Sequence, residues 1–447
     1  MDTLISNVTI VTMNERFDVL FGAYLGIDGG KISYISKKAP EEKPATIIDG
    51  TGMVLLPGLV NCHTHLAANA LRTCFDELNA SEALTELLKR EAKMDRRCAK
   101  AAATLAIAEA LRFGITSVSD LYYYPDATAE AVAQSGIKAN LALSAYRFID
   151  ENEDFDFETD EQCLELQRVV DKWNGYDEGR IKIDAGIYGE YTSNHKLWEG
   201  LVGYAHEKGL GLQLHLSQSQ EEVDSCLDRT GLSPAELLNC HSLFSVPTTA
   251  AGCGCLNEED LAILGSKKVS AVATPITDRR AGRPTAAYLS CVKAGMNLAL
   301  GTGGVHECGN LDLFRVMQEA SLAQRSEEGS PALPANALLM MATTCGARAQ
   351  GRAENTGMIK EGFDADLCLV DFSAPHLIPC HNILNALVSS VQGGDVAMTM
   401  VRGKILYRSG QFPTLDLAEA MAELTEYAIP RLFSQEPDVN TEGGSHV

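Results

Sequence analysis

Three histidines define the chemistry this chain could carry out. His63 and His65 flank one threonine in the run Pro57-Gly58-Leu59-Val60-Asn61-Cys62-His63-Thr64-His65, and His215 closes the run Leu212-Gln213-Leu214-His215. Alternate residues of a strand point to one face, so the first two imidazoles project together. Two imidazoles in that arrangement form half of a divalent metal site, and the set His63, His65, His215 suits zinc with water in the fourth position. Read singly, each is an ordinary polar or hydrogen-bonded histidine. The strand context of the first pair is what makes His215 the expected third ligand.

Those residues need a scaffold that brings distant strands to one end. Apolar stretches at 54–61, 115–121, 138–144, 181–188, 211–217, 248–253, 270–275 and 297–302 read as strands. Helical stretches separate most of them, the clearest being the alanine-rich run 101–111. Eight short strands alternating with helices predict an α/β fold, a (β/α)8 TIM-like barrel over residues 56–354, rather than an open doubly wound sheet. No glycine-rich phosphate fingerprint follows the first strand, which argues against a dinucleotide fold. In a barrel the three histidines stand at the C-terminal ends of strands one and five, where active sites are built.

Residues 1–55 carry alternating stretches such as Leu4 to Val11 and Lys31 to Ser36, broken by turns such as Asp28-Gly29-Gly30. The same pattern returns over 355–425, in Asp366 to Asp371 and Met398 to Tyr407. The simplest assembly joins both segments as one small β domain, with the barrel inserted between them. The polar end, 434–447, is expected to fray.

Composition limits the partners. The 447 residues hold 37 Lys+Arg against 60 Asp+Glu, a net charge of −23, so phosphate backbones and anionic membranes are repelled. A small-molecule ligand is expected, with no nucleic acid and no membrane partner. No apolar run approaches the roughly 18 residues of a membrane span, and the first residues show no export signal. The 13 scattered cysteines read as reduced thiols of a cytoplasmic protein rather than a disulfide framework.

With these motifs in place, the chain resembles the amidohydrolase superfamily, in the branch of 5-methylthioadenosine/S-adenosylhomocysteine deaminases and triazine chlorohydrolases. The resemblance covers nearly the whole length. It includes Val8 to Met13, the Pro57-to-His65 motif with Leu71-Arg72 after it, Gly114 to Asp120, Leu311 to Phe314, Met341-Ala342-Thr343, and Gly357 to Leu367 as Gly-x-Ile-x-x-Gly-x-x-Ala-Asp-Leu. It implies a metal-bearing barrel flanked by a β-sandwich domain formed by both termini. It also implies metal-dependent hydrolysis of a C–N bond in a purine-like or other heterocyclic substrate, and, by analogy, a homo-oligomer. One divalent metal, zinc by expectation, would be held by His63, His65 and His215.

The resemblance breaks at the family's remaining catalytic positions. The aspartate of the eighth strand, both ligand and base, is Gly303; the proton-shuttling glutamate is Gln218; the sixth-strand histidine is Gly252. The seventh-strand histidine is Ala273, and a substrate-contacting histidine is Tyr188. An amide cannot exchange a proton near neutral pH. Loss of one general acid or base costs roughly 10²–10⁴ in rate. Compensating groups are sought in His306 and Glu307, which either turn inward or face solvent, and in Cys253 on the sixth strand. Two functions follow as expectations: a hydrolase with impaired or altered catalysis, or a non-catalytic ligand-binding or partner-subunit relative on the same fold.

Overall fold

The computed structural model describes residues 1–78, 80–145, 147, 149, 153–328 and 333–434. Apart from Ser434, the expected frayed end lies outside them. Among the described residues the chain forms two eight-stranded sheets.

The first sheet comes from both termini. It contains β1 (Thr3–Val11), β2 (Val19–Asp28), β3 (Lys31–Ser36), β4 (Thr46–Asp49), β5 (Met53–Pro57), and later β14 (Leu367–Asp371), β15 (Val396–Val401) and β16 (Lys404–Arg408). Their order is β16-β15-β14-β5-β1-β2-β3, with β4 also on β1. The junction of early and late chain is antiparallel, Leu367 opposite Pro57 through Asp371 opposite Met53. Its apolar faces share one core that includes Ile5, Ile10, Leu25, Leu55, Leu367 and Met400.

The second sheet is parallel and carries the helices: β6 (Leu59–Thr64), β7 (Ile115–Tyr122), β8 (Lys138–Leu143), β9 (Ile181–Gly186), β10 (Leu212–Leu216), β11 (Thr248–Gly252), β12 (Ser270–Ala273) and β13 (Asn297–Leu300). Neighbours in sequence are neighbours in space, and the two ends meet. The His63 carbonyl accepts from the backbone N–H of Thr302 at 3.1 Å and of Gly303 at 3.0 Å. The Asn61 amide and the Thr302 hydroxyl bond at 2.8 Å across the same seam. This is the α/β barrel expected.

One expectation is corrected. The run 54–61 is two strands in two sheets: β5 pairs with β14, whereas β6 opens the barrel. The chain changes sheets at Gly58, where a Cβ would lie 2.1 Å from Thr116 Oγ1, so only glycine lets the two strands approach. A continuous apolar run carries no mark of such a switch. A buried ion cluster ties the barrel to the terminal sheet. Lys138 of β8, 1% exposed, donates from Nζ to Asp364 at 2.7 Å, to Thr356 at 3.0 Å, and to Asp366.

Candidate active site

The three histidines converge at the C-terminal ends of β6 and β10, and all are buried. Their ring centroids lie 4.7 to 5.4 Å apart. One potential ligand atom from each falls within 4.8 Å of the others, the one such group among the described residues. Backbone carbonyls orient two of the rings. His65 Nδ1 lies 2.7 Å from the Leu121 carbonyl, and His215 Nδ1 lies 2.7 Å from the Tyr188 carbonyl. A carbonyl only accepts, so both Nδ1 atoms carry the proton and both Nε2 atoms offer a lone pair. Asp120 of β7 holds the turn after β6, accepting from Leu66 N–H at 2.6 Å and from the Thr64 hydroxyl at 3.2 Å.

Electrostatics keeps these imidazoles neutral. Burial first, then the neighbouring His215 and His65 and the cationic Arg283, lowers His63 well below the ordinary range. Burial and His65 lower His215 to about 3. His215 Nε2 and His63 Nε2 stand 3.0 Å apart. Two lone pairs at that distance repel unless a proton or a cation lies between them. Tetrahedral zinc with Zn–N of about 2.0–2.1 Å places its nitrogens roughly 3.3 Å apart. The neutral, carbonyl-oriented donor set therefore fits a divalent ion.

The cluster floors a cavity of about 280 Å³. Gly303 sits at its edge with φ +70°, and a Cβ there would lie 2.8 Å from Thr277 Oγ1 and 3.3 Å from Glu307 Oε2. The short helix Val305–Cys308 starts directly after Gly304 and turns both His306 and Glu307 to the cavity. Both side chains line the cavity, His306 buried and Glu307 partly exposed. His306 is buried 6.4 Å from the His65 ring, with its Nδ1 unpartnered. Burial lowers it to about 4. Burial opposes ionisation of Glu307, but His306, His65, Arg283 and His215 together hold its carboxyl below the usual range. Because those imidazoles are neutral near pH 7, the standing positive charge there is Arg283, 3.9 Å away.

The other substituted positions fit one another sterically. Gly252, at φ +96°, leaves room that Gln218 fills: a Cβ at 252 would lie 2.5 Å from Gln218 Cγ. The Glu222 carboxylate pins this loop by accepting from the backbone N–H of Ser217 and of Gln218, each at 2.8 Å. Tyr188 packs its ring 4.6 Å from that of His215, and burial pushes its hydroxyl pKa up. Cys253 is corrected. Its side chain is buried in the barrel core, near the Ala250 carbonyl, and does not line the cavity. The strand ends at Gly252, and Cys253 takes a left-handed φ of 59° that carries its thiol away.

Sequence reasoning missed several cavity residues. Arg283 arrives from the loop after the helix Pro275–Arg280. The helix Ala80–Glu91 contributes Leu87, Leu88 and Glu91. The Tyr122 hydroxyl donates to Glu91, and burial raises that carboxyl to about 7. The signal available was the apolar spacing of the helix, which by itself indicates only a covered face.

The fold and this site define a class. A family model described as the amidohydrolase family matches residues 54–406, and the chain belongs to that family. It is deaminase-like over nearly its whole length. It is 31% identical to a 5-methylthioadenosine/S-adenosylhomocysteine deaminase of Caldanaerobacter subterraneus subsp. tengcongensis, covering 96% of this chain and 98% of that one. It is 34% identical to a 5'-deoxyadenosine deaminase of Methanosarcina mazei, with the same coverage of 96% and 98%. Among solved structures, an adenosine deaminase from Xanthomonas campestris with bound zinc superposes with a TM-score of 0.89 at 26% identity, covering 96% and 98% of the two chains. No described helix is long and apolar enough to cross a membrane.

Proposed function

We propose that the chain is a metal-dependent hydrolase of a non-peptide C–N bond in a heterocyclic substrate, working with a relocated carboxylate. The observation that carries this is the place of Glu307, whose Oε2 lies 3.3 Å from where a Cβ at Gly303 would be. His63, His65 and His215 would hold the ion, which supplies the Lewis acidity that makes water a nucleophile near neutral pH. Glu307, kept ionised, accepts the water proton at its carboxylate and returns it to the leaving nitrogen. The tyrosines and the helix Ala80–Glu91 cover the ring and exclude bulk water. Gln218 orients the substrate by hydrogen bonding and moves no proton.

A second reading, a ligand-binding relative without turnover, is favoured by the amide at Gln218 and the glycine at Gly252. Ammonia release from 5'-methylthioadenosine, adenosine and other aminoheterocycles, ring carboxylates included, separates the two. Under the first reading Glu307→Gln lowers turnover roughly 10²–10⁴-fold while zinc content is unchanged. Zinc retention without release of ammonia from any member of such a panel establishes the second.

A further inference from the structure

Arg283 is the one Lys or Arg among the described residues lining the cavity. A guanidinium presents five N–H donors in a rigid fork that matches a carboxylate. Here the fork is poorly matched by the protein itself. Nη1 donates to Gln218 Oε1 at 3.4 Å, the long limit of a hydrogen bond. Nε is buried with no partner. The nearest carboxylates, Asp278 Oδ1 at 3.7 Å and Glu307 Oε1 at 3.9 Å, lie beyond hydrogen-bond reach. Burial raises the Asp278 carboxyl to about 7, so the ionised carboxylate nearest Arg283 is Glu307, which balances its charge at 3.9 Å without a hydrogen bond and leaves the donors of the fork unmatched. Unmatched donors in a half-closed cavity cost stability that a matching ligand restores.

Much of the remaining lining is aromatic or aliphatic. Tyr122, Tyr123, Tyr188 and Tyr191 line the cavity with Leu87 and Leu88, a surface suited to one face of an aromatic ring. We propose that the cavity takes a flat aromatic or heteroaromatic ligand bearing a carboxylate, with the carboxylate on Arg283 and the ring against the tyrosines. This rests on the cavity being where the substrate of the proposed hydrolase binds, and it narrows that substrate to ring carboxylates. Binding requires no turnover, so absence of ammonia release removes the hydrolase and leaves this assignment standing.

Calorimetric titration of the full-length protein tests it, both zinc-loaded and chelator-treated. The probes are benzoate, nicotinate and indole-3-carboxylate, each against its neutral amide. At least one acid is expected to bind about tenfold or more tightly than its amide, a preference that survives chelation. Arg283→Gln should lower the affinity for that acid about ten- to hundredfold, the range for hydrogen bonds to a charged group, and leave the amide unchanged. Arg283→Lys should keep part of the preference. An unchanged unfolding temperature shows that either variant is folded. Equal binding of acids and amides overturns the assignment, as does a preference that persists in Arg283→Gln. Loss of the preference on chelation also overturns it, because the carboxylate then sits on the histidine cluster.

Discussion

Returning an aspartate to position 303 should destabilise the metal-free protein, and the size of the effect follows from three contacts. At φ +70° an L-residue is strained by about 1–2 kcal/mol. The new Cβ, 2.8 Å from Thr277 Oγ1, must displace a hydroxyl that donates to the Thr302 carbonyl at 2.9 Å, at a cost of about 1 kcal/mol. Its carboxylate would then stand beside that of Glu307. Two like charges about 4 Å apart repel by roughly 4 kcal/mol at an effective dielectric of 20, and partial exposure and proton uptake reduce this to about 1–2. Gly303→Ala, which lacks the charge, should therefore cost about 2–3 kcal/mol, and Gly303→Asp about 4. Urea unfolding at pH 7.5 in chelator measures both. The excess of Asp over Ala should vanish in a Glu307→Gln background, and should shrink in zinc-loaded protein as the cation attracts both carboxylates. An aspartate no worse than alanine, or an excess indifferent to Glu307→Gln, would show that Glu307 does not occupy this space.

Two further outcomes are expected. Glu91, raised to about 7 by burial, binds a proton in the folded state that the unfolded chain releases near 4.5, so it lowers stability increasingly as pH rises from 4.5 to 7. Glu91→Gln, which can still accept from Tyr122, should be more stable than the parent at pH 8 and equal to it near pH 4.5, read by unfolding curves across that range. Lys138→Met leaves the buried Asp366 without its ion-pair partner, while Asp364 keeps Lys31, and should cost about 3–5 kcal/mol in urea unfolding.

Local patterns reached the scaffold and the histidines but not their neighbours. Seven of the eight predicted barrel strands correspond to β7–β13, because a parallel strand covered on both faces is a plain apolar run. The run 54–61 failed because its break depends on Thr116, a contact far along the chain. His63 and His65 were legible because their spacing is that of one strand face, and His215 because it ends another. Arg283 sits in Arg279-Arg280-Ala281-Gly282-Arg283, which by composition is a solvated loop. Its meaning comes from the fold bringing that loop against Gln218 and Glu307. Glu307 was legible as a compensating candidate from its place after Gly303, but its orientation towards the cavity comes from the fold.

The most direct measurement is the metal content of the purified protein, with the ion located by anomalous diffraction. Expected is one divalent ion bonded to the Nε2 atoms of His63, His65 and His215 at about 2.0–2.1 Å, with the Glu307 carboxylate facing its open side, and loss of that ion in His215→Ala. An ion held elsewhere, or full metal content in His215→Ala, would contradict the three-histidine centre from which the proposed chemistry is built.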